Sequence, residues 1–176
     1  MLTKDEVIRI LQMEPLKGEG GMFRKMYRSD ETYPDGLLPG RSGPHAVYGS
    51  ILYLLTRDTC SRMHRLPTDE IWHFYMGASC ETIVLCPDGT GYVNRLGQNL
   101  LAGESVTAIV PRGCWQGTRI TGEGEWALLG TTMAPDYEDI DYEDGTEELL
   151  KEYPAFSERI LNLLQRPGSE ESWTSF

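Results

Sequence analysis

The stretch "MHRLPTDEIWHFYMG", residues 63–77, brings His64, Glu70 and His73 into close succession among apolar and aromatic residues. Imidazole and carboxylate groups support two kinds of chemistry: they ligate divalent metals, and they exchange protons near neutral pH. They also occur as packed, hydrogen-bonded members of a core, so the faces they occupy matter. In strands, alternation puts Arg62, His64 and Leu66 on one face. After the Leu66-Pro67-Thr68-Asp69 turn it puts Glu70, Trp72 and Phe74 on one face of the next strand. His64 and Glu70 can therefore meet inside a barrel. The same parity turns His73 away with Ile71 and Tyr75, as a packed or interface histidine.

The flanking sequence predicts the elements that must carry these groups. Thr3 and Glu6, ahead of Val7, Ile8, Ile10 and Leu11, have the spacing of a capping box and predict a short amphipathic N-terminal helix. In "KGEGGMFRKMYRS" a strand is entered through glycines, with Phe23, Lys25 and Tyr27 alternating with Met22, Arg24 and Met26. "DETYPDGLLPGRSGPHA" is dense in Pro, Gly and Asp and reads as a long loop, of the kind that forms lids or dimer contacts. From His45 to Pro135 the chain reads as strands cut by turns: "HAVYGSILYLLT", "ETIVLC", "TGYVNRLG", "ESVTAIVP", "CWQGTRI" and "EWALLGTTMAP". Many short strands with regular turn signals predict an all-β sandwich or barrel. Beyond the acidic run, Leu149, Leu150, Ile160, Leu161, Leu163 and Leu164 recur at helical spacing, with Pro154 interrupting. Two short C-terminal helices outside the β-core follow. Residues 1–165 are read as one domain and the polar 166–176 as a flexible C-terminal tail.

Composition narrows the function classes. The chain has 176 residues, 40% of them hydrophobic, which is enough for one domain with a sizeable core. A net charge of −11 repels phosphate backbones and anionic lipid, so neither nucleic acid nor membrane is an expected partner. No segment approaches the roughly 20 apolar residues that cross a bilayer, and "MLTKDEVIRIL" is too charged for a signal peptide. A cytoplasmic location is expected. Cys60, Cys80, Cys86 and Cys114 show neither zinc spacing nor disulfide-scaffold density and read as buried thiols, with a Cys80–Cys86 bridge as the lesser alternative.

With these motifs in order, the chain resembles a cupin. The first cupin motif runs His-x-His, three or four residues, Glu, six residues, Gly; His64, Leu66, Glu70 and Gly77 occupy those places, with leucine at the second histidine. The second runs Gly, a short strand, then Pro-x-Gly-x-x-His; Gly103 opens "GESVTAIVPRGCWQ", and Pro111, Gly113 and Gln116 follow, with glutamine for histidine. "EGGMFRKMYRS", "DEIWHFYMG", "VPRGCWQ" and "TTMAPDYEDIDYED" resemble, in that order, the cupin family 5 group, a domain of unknown function. The similarity runs from the first helix to Leu164. It implies a double-stranded β-helix, the cupin jelly-roll barrel, usually a homodimer with a small-molecule pocket in the barrel mouth. It implies no particular reaction.

A complete cupin site of three histidines and a glutamate holds iron, manganese, nickel or zinc. This chain offers His64, Glu70 and Gln116 as metal ligands, and a glutamine oxygen is a weaker, neutral ligand. Phosphomannose isomerases, also cupins, resemble it in using a glutamine; Leu66 cannot coordinate. Two readings stay open: a reduced site for Ni, Zn, Mn or Fe, and a metal-free arrangement in which the three side chains bond one another or a ligand. Without metal, His64 beside Glu70 can act as a catalytic base oriented by a carboxylate. Cupin sugar epimerases similarly use a His-Asp pair and a tyrosine, and Tyr27, Tyr48, Tyr53 and Tyr75 lie in candidate strands.

The expected function is binding of a small polar or sugar-like molecule, with isomerase or epimerase chemistry on His64 and Glu70. Non-catalytic binding and a metal-dependent enzyme are the alternatives. Further ligand contacts are expected from Glu19 at the pocket rim, from Arg62 and Gln116, and from Trp72, Phe74 and Trp115 lining or flooring the barrel. A loop carboxylate such as Glu19 can equally be solvated. Arg24 is expected to bridge a dimer or to meet an anionic ligand. The run from Asp136 to Glu148 lacks the order of a calcium loop and reads as a solvated connection.

Overall fold

The computed structural model describes residues 2–39 and 41–164; the C-terminal tail expected at 166–176 lies outside the described residues. Two antiparallel sheets face each other. The first has strand order β1-β2-β5-β12-β7-β10, and the second β13-β6-β11-β8-β9. In the first sheet, β1 is Glu14–Pro15, β2 Met22–Arg28, β5 Gly49–Thr56, β7 Glu70–Gly77, β10 Thr107–Val110 and β12 Trp126–Met133. In the second, β6 is Ser61–Arg65, β8 Cys80–Leu85, β9 Gly91–Leu96, β11 Trp115–Ile120 and β13 Glu143–Asp144. Consecutive strands repeatedly cross from one sheet to the other, which is the expected jelly-roll barrel.

Side chains of alternate parity fill the space between the sheets. Tyr53, Trp72, Phe74 and Leu129 from the first sheet meet Cys80, Val84, Leu96 and Ile120 from the second. The outer faces are covered differently. Helix α1 (Lys4–Leu11) lays Val7 on Leu54, Leu128 and Trp126. This explains why "ILYLL" is a continuous apolar run rather than an alternating one: β5 is buried on both faces. Helices α2 (Leu149–Glu152) and α3 (Ser157–Leu161) close over Met63, Ile83 and Leu85 of the second sheet. Pro154 opens a 3-10 turn between them, where its missing N–H and fixed φ break the helix.

The capping box forms as its spacing predicts. Thr3 N–H donates to Glu6 Oε2 at 2.8 Å, and Glu6 N–H donates to Thr3 Oγ1 at 3.3 Å. Arg24 has a partner that neither expectation included. Its Nη1 donates to the Leu11 carbonyl at 2.9 Å, so it satisfies an orphan acceptor at the end of α1. The segment expected to be a loop before β5 contains a short ladder, β3 (Thr32–Tyr33) with β4 (His45–Ala46). No disulfide joins the four cysteines. Cys80 and Cys86 flank opposite ends of β8, roughly 20 Å apart at the rise of a strand, which removes the bridge considered between them. No helix among the described residues is long and apolar enough to cross a membrane.

Candidate functional site

Glu70 opens β7, between Val110 of β10 and Met133 of β12. Trp72 follows on the same face. Across the barrel, Gln116 of β11 lies directly opposite His64 of β6, so these two share a face. The sheets bring three of these side chains into one relay. The Trp72 indole N–H donates to Gln116 Oε1 at 2.9 Å, and Gln116 Nε2 donates to Glu70 Oε2 at 2.6 Å. An indole nitrogen can only donate, so the glutamine must turn its oxygen to Trp72 and its amide hydrogens to Glu70. Trp72, Gln116 and Glu70 are all buried.

Burial raises the Glu70 carboxyl above the usual glutamate range, and the charge of nearby Glu19 raises it further. The positive field of His64 and hydrogen bonds from Gln116 and Thr131 work in the opposite direction. Glu70 is thus a partly compensated buried acid at which a proton is held more tightly than on an exposed glutamate.

Glu19 reaches the site through its glycines. A Cβ on Gly20, where φ is +104°, would lie 2.4 Å from the Cys60 carbonyl oxygen. Only glycine permits this approach of the loop to the start of β6. The loop is pinned by Arg62 N–H to Glu19 O at 2.9 Å, Arg62 Nη1 to Gly18 O at 2.8 Å and Tyr53 Oη–H to Gly20 O at 2.6 Å. Ser61 Oγ–H then donates to Glu19 Oε1 at 2.7 Å.

Glu19 and Glu70 line a cavity of about 230 Å³, with Leu16, Phe23 and Leu66 on its apolar wall. Lys25, Tyr27 and Arg28 join them because β2 slips register against β5 between Lys25 and Tyr27. Asp136, Tyr137, Glu138 and Asp139 complete the lining. The start of the acidic run, Asp136 to Asp139, is therefore one wall of the pocket and leads into a buried anchor, whereas Glu143, Asp144, Glu147 and Glu148 are exposed as a solvated connection would be. Asp141 Oδ2 lies 3.3 Å from His45 Nε2 and 3.6 Å from Arg41 Nη1, and all three side chains are almost fully buried. Neither contact is an aligned hydrogen bond: Arg41 and Asp141 form an ion pair at a distance, and the His45 ring approaches the same carboxylate oxygen. Arg28 pairs with Asp136 and Glu138 on the same segment.

Several expected site residues lie elsewhere. His64 is buried but does not line the cavity. Its Nδ1 is 2.7 Å from the Arg62 carbonyl oxygen, which only accepts, so Nδ1 carries the hydrogen. The ring stacks on Tyr142, centroids 5.2 Å apart. Arg62 holds the Glu19 loop rather than lining the pocket, and Phe74 belongs to the inter-sheet core. Trp115 does not line the barrel. One position before Gln116, it faces outward onto the C-terminal helices, under the Arg65 guanidinium at 4.5 Å. His73 faces outward as its parity predicts, 3.0 Å from Thr132 Oγ1 and stacked on Tyr75. Thr131 and Tyr137 line the pocket without having been singled out; a lone Thr pair in the apolar "WALLGTTM" was the one available signal for Thr131.

The three side chains named as metal ligands are engaged with other partners here. Gln116 Oε1 accepts the Trp72 N–H, its amide hydrogens face Glu70, and Leu66, which cannot coordinate, stands where a second imidazole would be. Among the described residues no group of three or more His, Cys, Asp or Glu side chains could hold a metal.

This pocket inside a two-sheet barrel defines a cupin-type protein. The chain matches the model of the cupin superfamily family DUF985, Cupin_5, over residues 5–144, and belongs to that family. A solved protein from Shewanella oneidensis is similar at 31% identity, covering 94% of this chain and 99% of its own, with a TM-score of 0.81. A hypothetical protein from Leishmania major is 23% identical over 94% of this chain and 100% of its own, with a TM-score of 0.83. A cupin 2 conserved barrel domain protein from Rhodopseudomonas palustris shares the fold at 12% identity and a TM-score of 0.56, covering 88% of this chain and 90% of its own. No curated protein matches the chain.

Proposed function

We propose that this cupin binds a small, polar, sugar-like molecule in the barrel mouth and that Glu70 exchanges a proton with it, as in an isomerase or epimerase. The observation that carries the reading is the relay from Trp72 through Gln116, which presents one buried carboxyl of raised proton affinity to a pocket. A group that holds its proton closer to neutral pH is a better acid and base there. The cavity is at the small end of ligand sites, which commonly run about 300–1,000 Å³. Its carboxylates outnumber Lys25 and Arg28 and disfavour multiply charged anions, whereas Thr131, Tyr137, Glu19 and Glu70 suit hydroxyl groups. Glu19 lines the cavity beside Glu70, whereas His64 does not and acts on Glu70 through its field. The metal-dependent alternative loses ground to the engagement of Gln116 by Trp72.

Neutral aldoses and ketoses incubated with the protein in D2O test this. Proton NMR should show deuterium entering the carbon beside the carbonyl, slowed about 10²- to 10⁴-fold in Glu70→Gln with binding retained. Calorimetric binding without deuterium uptake would leave a carrier rather than an enzyme. Neither binding nor uptake with any sugar tested would overturn the proposal.

A further inference from the structure

The ladder between β8 and β11 ends with Leu85 opposite Trp115. One step further, Cys86 stands opposite Cys114. The direction of the backbone groups defines that step. Cys86 N–H donates to Thr90 O at 2.8 Å and Cys86 O accepts from Gly89 N–H at 3.0 Å, both within the turn leading to β9. Cys114 N–H donates to Pro111 O at 3.1 Å within its own turn. Neither residue spends these groups on the other, which makes this a non-hydrogen-bonded cross-strand position. At such positions Cα atoms approach to about 4.5 Å and side chains are at their closest. Disulfides span Cα separations of roughly 4.4–6.8 Å.

Side-chain parity agrees. Both cysteines pack against the inter-sheet core, the face to which Gln116 also points. Burial, and then hydrogen-bonding contact with Cys86, push the Cys114 thiol up to about 11. Cys86 is only half-buried and Cys114 is buried, so an external reagent meets Cys86 first.

We propose that Cys86 and Cys114 are a redox-active dithiol that closes to an intramolecular disulfide in the presence of a small disulfide oxidant. The Cys86 thiolate attacks the oxidant's S–S bond, forms a mixed disulfide and releases one thiol. Cys114 gives up its proton, attacks the Cys86 sulfur and displaces the second thiol. Two protein thiols are oxidised and one small disulfide is reduced to two thiols. Closure ties together the strand ends beside Gln116, so the oxidation state of the pair is felt two residues from the relay.

The test is to equilibrate the full chain with oxidised glutathione, quench with acid, and count thiols and map peptides. Two of the four thiols should disappear into a Cys86–Cys114 peptide, and dithiothreitol should restore them. Cys114→Ser should stop at a glutathione adduct on Cys86, while Cys60→Ser and Cys80→Ser should behave as the parent. Closure should also raise Tm by roughly 5–10 °C. Four retained thiols, a lasting adduct on Cys86 of the parent chain, or a bridge to any other cysteine would each overturn the proposal.

Discussion

Two buried polar networks flank the pocket and differ in how they balance charge. The relay of Trp72, Gln116 and Glu70 contains one ionisable group held by neutral donors in near-ideal hydrogen bonds. The cluster of Arg41, His45 and Asp141 contains three ionisable groups in contact at 3.3 and 3.6 Å, with no aligned hydrogen bond between them. The first fixes the position of a single oxygen at the cavity. The second joins the segment before β5 to the acidic segment after β12, and its Coulomb attraction tolerates loose geometry. A reactive group needs direction, whereas a tether needs only opposite charge in a place that excludes water.

The contrast is best broken at Asp141. Asp141→Asn leaves Arg41 buried without a counter-charge and should cost about 3–5 kcal/mol in urea unfolding. Replacing Arg41 and Asp141 together by Met and Leu should recover most of that loss, because the penalty lies in the orphaned charge. In the relay, Gln116→Leu strands the Trp72 N–H and a Glu70 oxygen, for a loss of about 2–4 kcal/mol.

Glu70 sharpens the comparison through pH. Its folded carboxyl is raised above the unfolded value, so the stability it contributes is full below the unfolded range near 4.5 and is lost as pH rises through the folded range. Thermal unfolding between pH 4 and 8 should therefore find Glu70→Gln gaining on the parent chain as pH increases; a constant difference would remove the shift. The smallest effect is expected at Arg65–Glu143, an exposed pair on the same acidic segment as Asp141. Glu143→Gln should change stability by less than about 1 kcal/mol, an effect that added salt erases.

The parts of the site that could be read from sequence are those governed by local periodicity. Strand alternation puts Glu70 and Trp72 inward and His73 outward, and the motif spacing singles out Gln116, because a pleated strand fixes the side of each residue. Trp115 shows the limit of reading composition near a motif: an aromatic beside Gln116 looks like a pocket wall, yet its parity sends it to the outer face. The contacts of Arg24 and of the start of the acidic segment were not legible for another reason. The acceptor for Arg24 is a helix end, and the Arg41 guanidinium that meets Asp141 comes from a distant loop; neither pairing leaves a mark in local pattern.

What the sequence by itself determined is the alternation of short strands, the capped first helix and the two motif frames with leucine and glutamine in place of histidines. These depend on chemistry within a few residues. Only the tertiary structure decided which atom of Gln116 faces Glu70, that Glu19 rather than His64 joins Glu70 at the cavity, and that Cys86 stands opposite Cys114. Each of these is a meeting of groups from different strands, set by sheet register and by which donor is free to give its hydrogen, and distances across a barrel are not written in neighbouring residues.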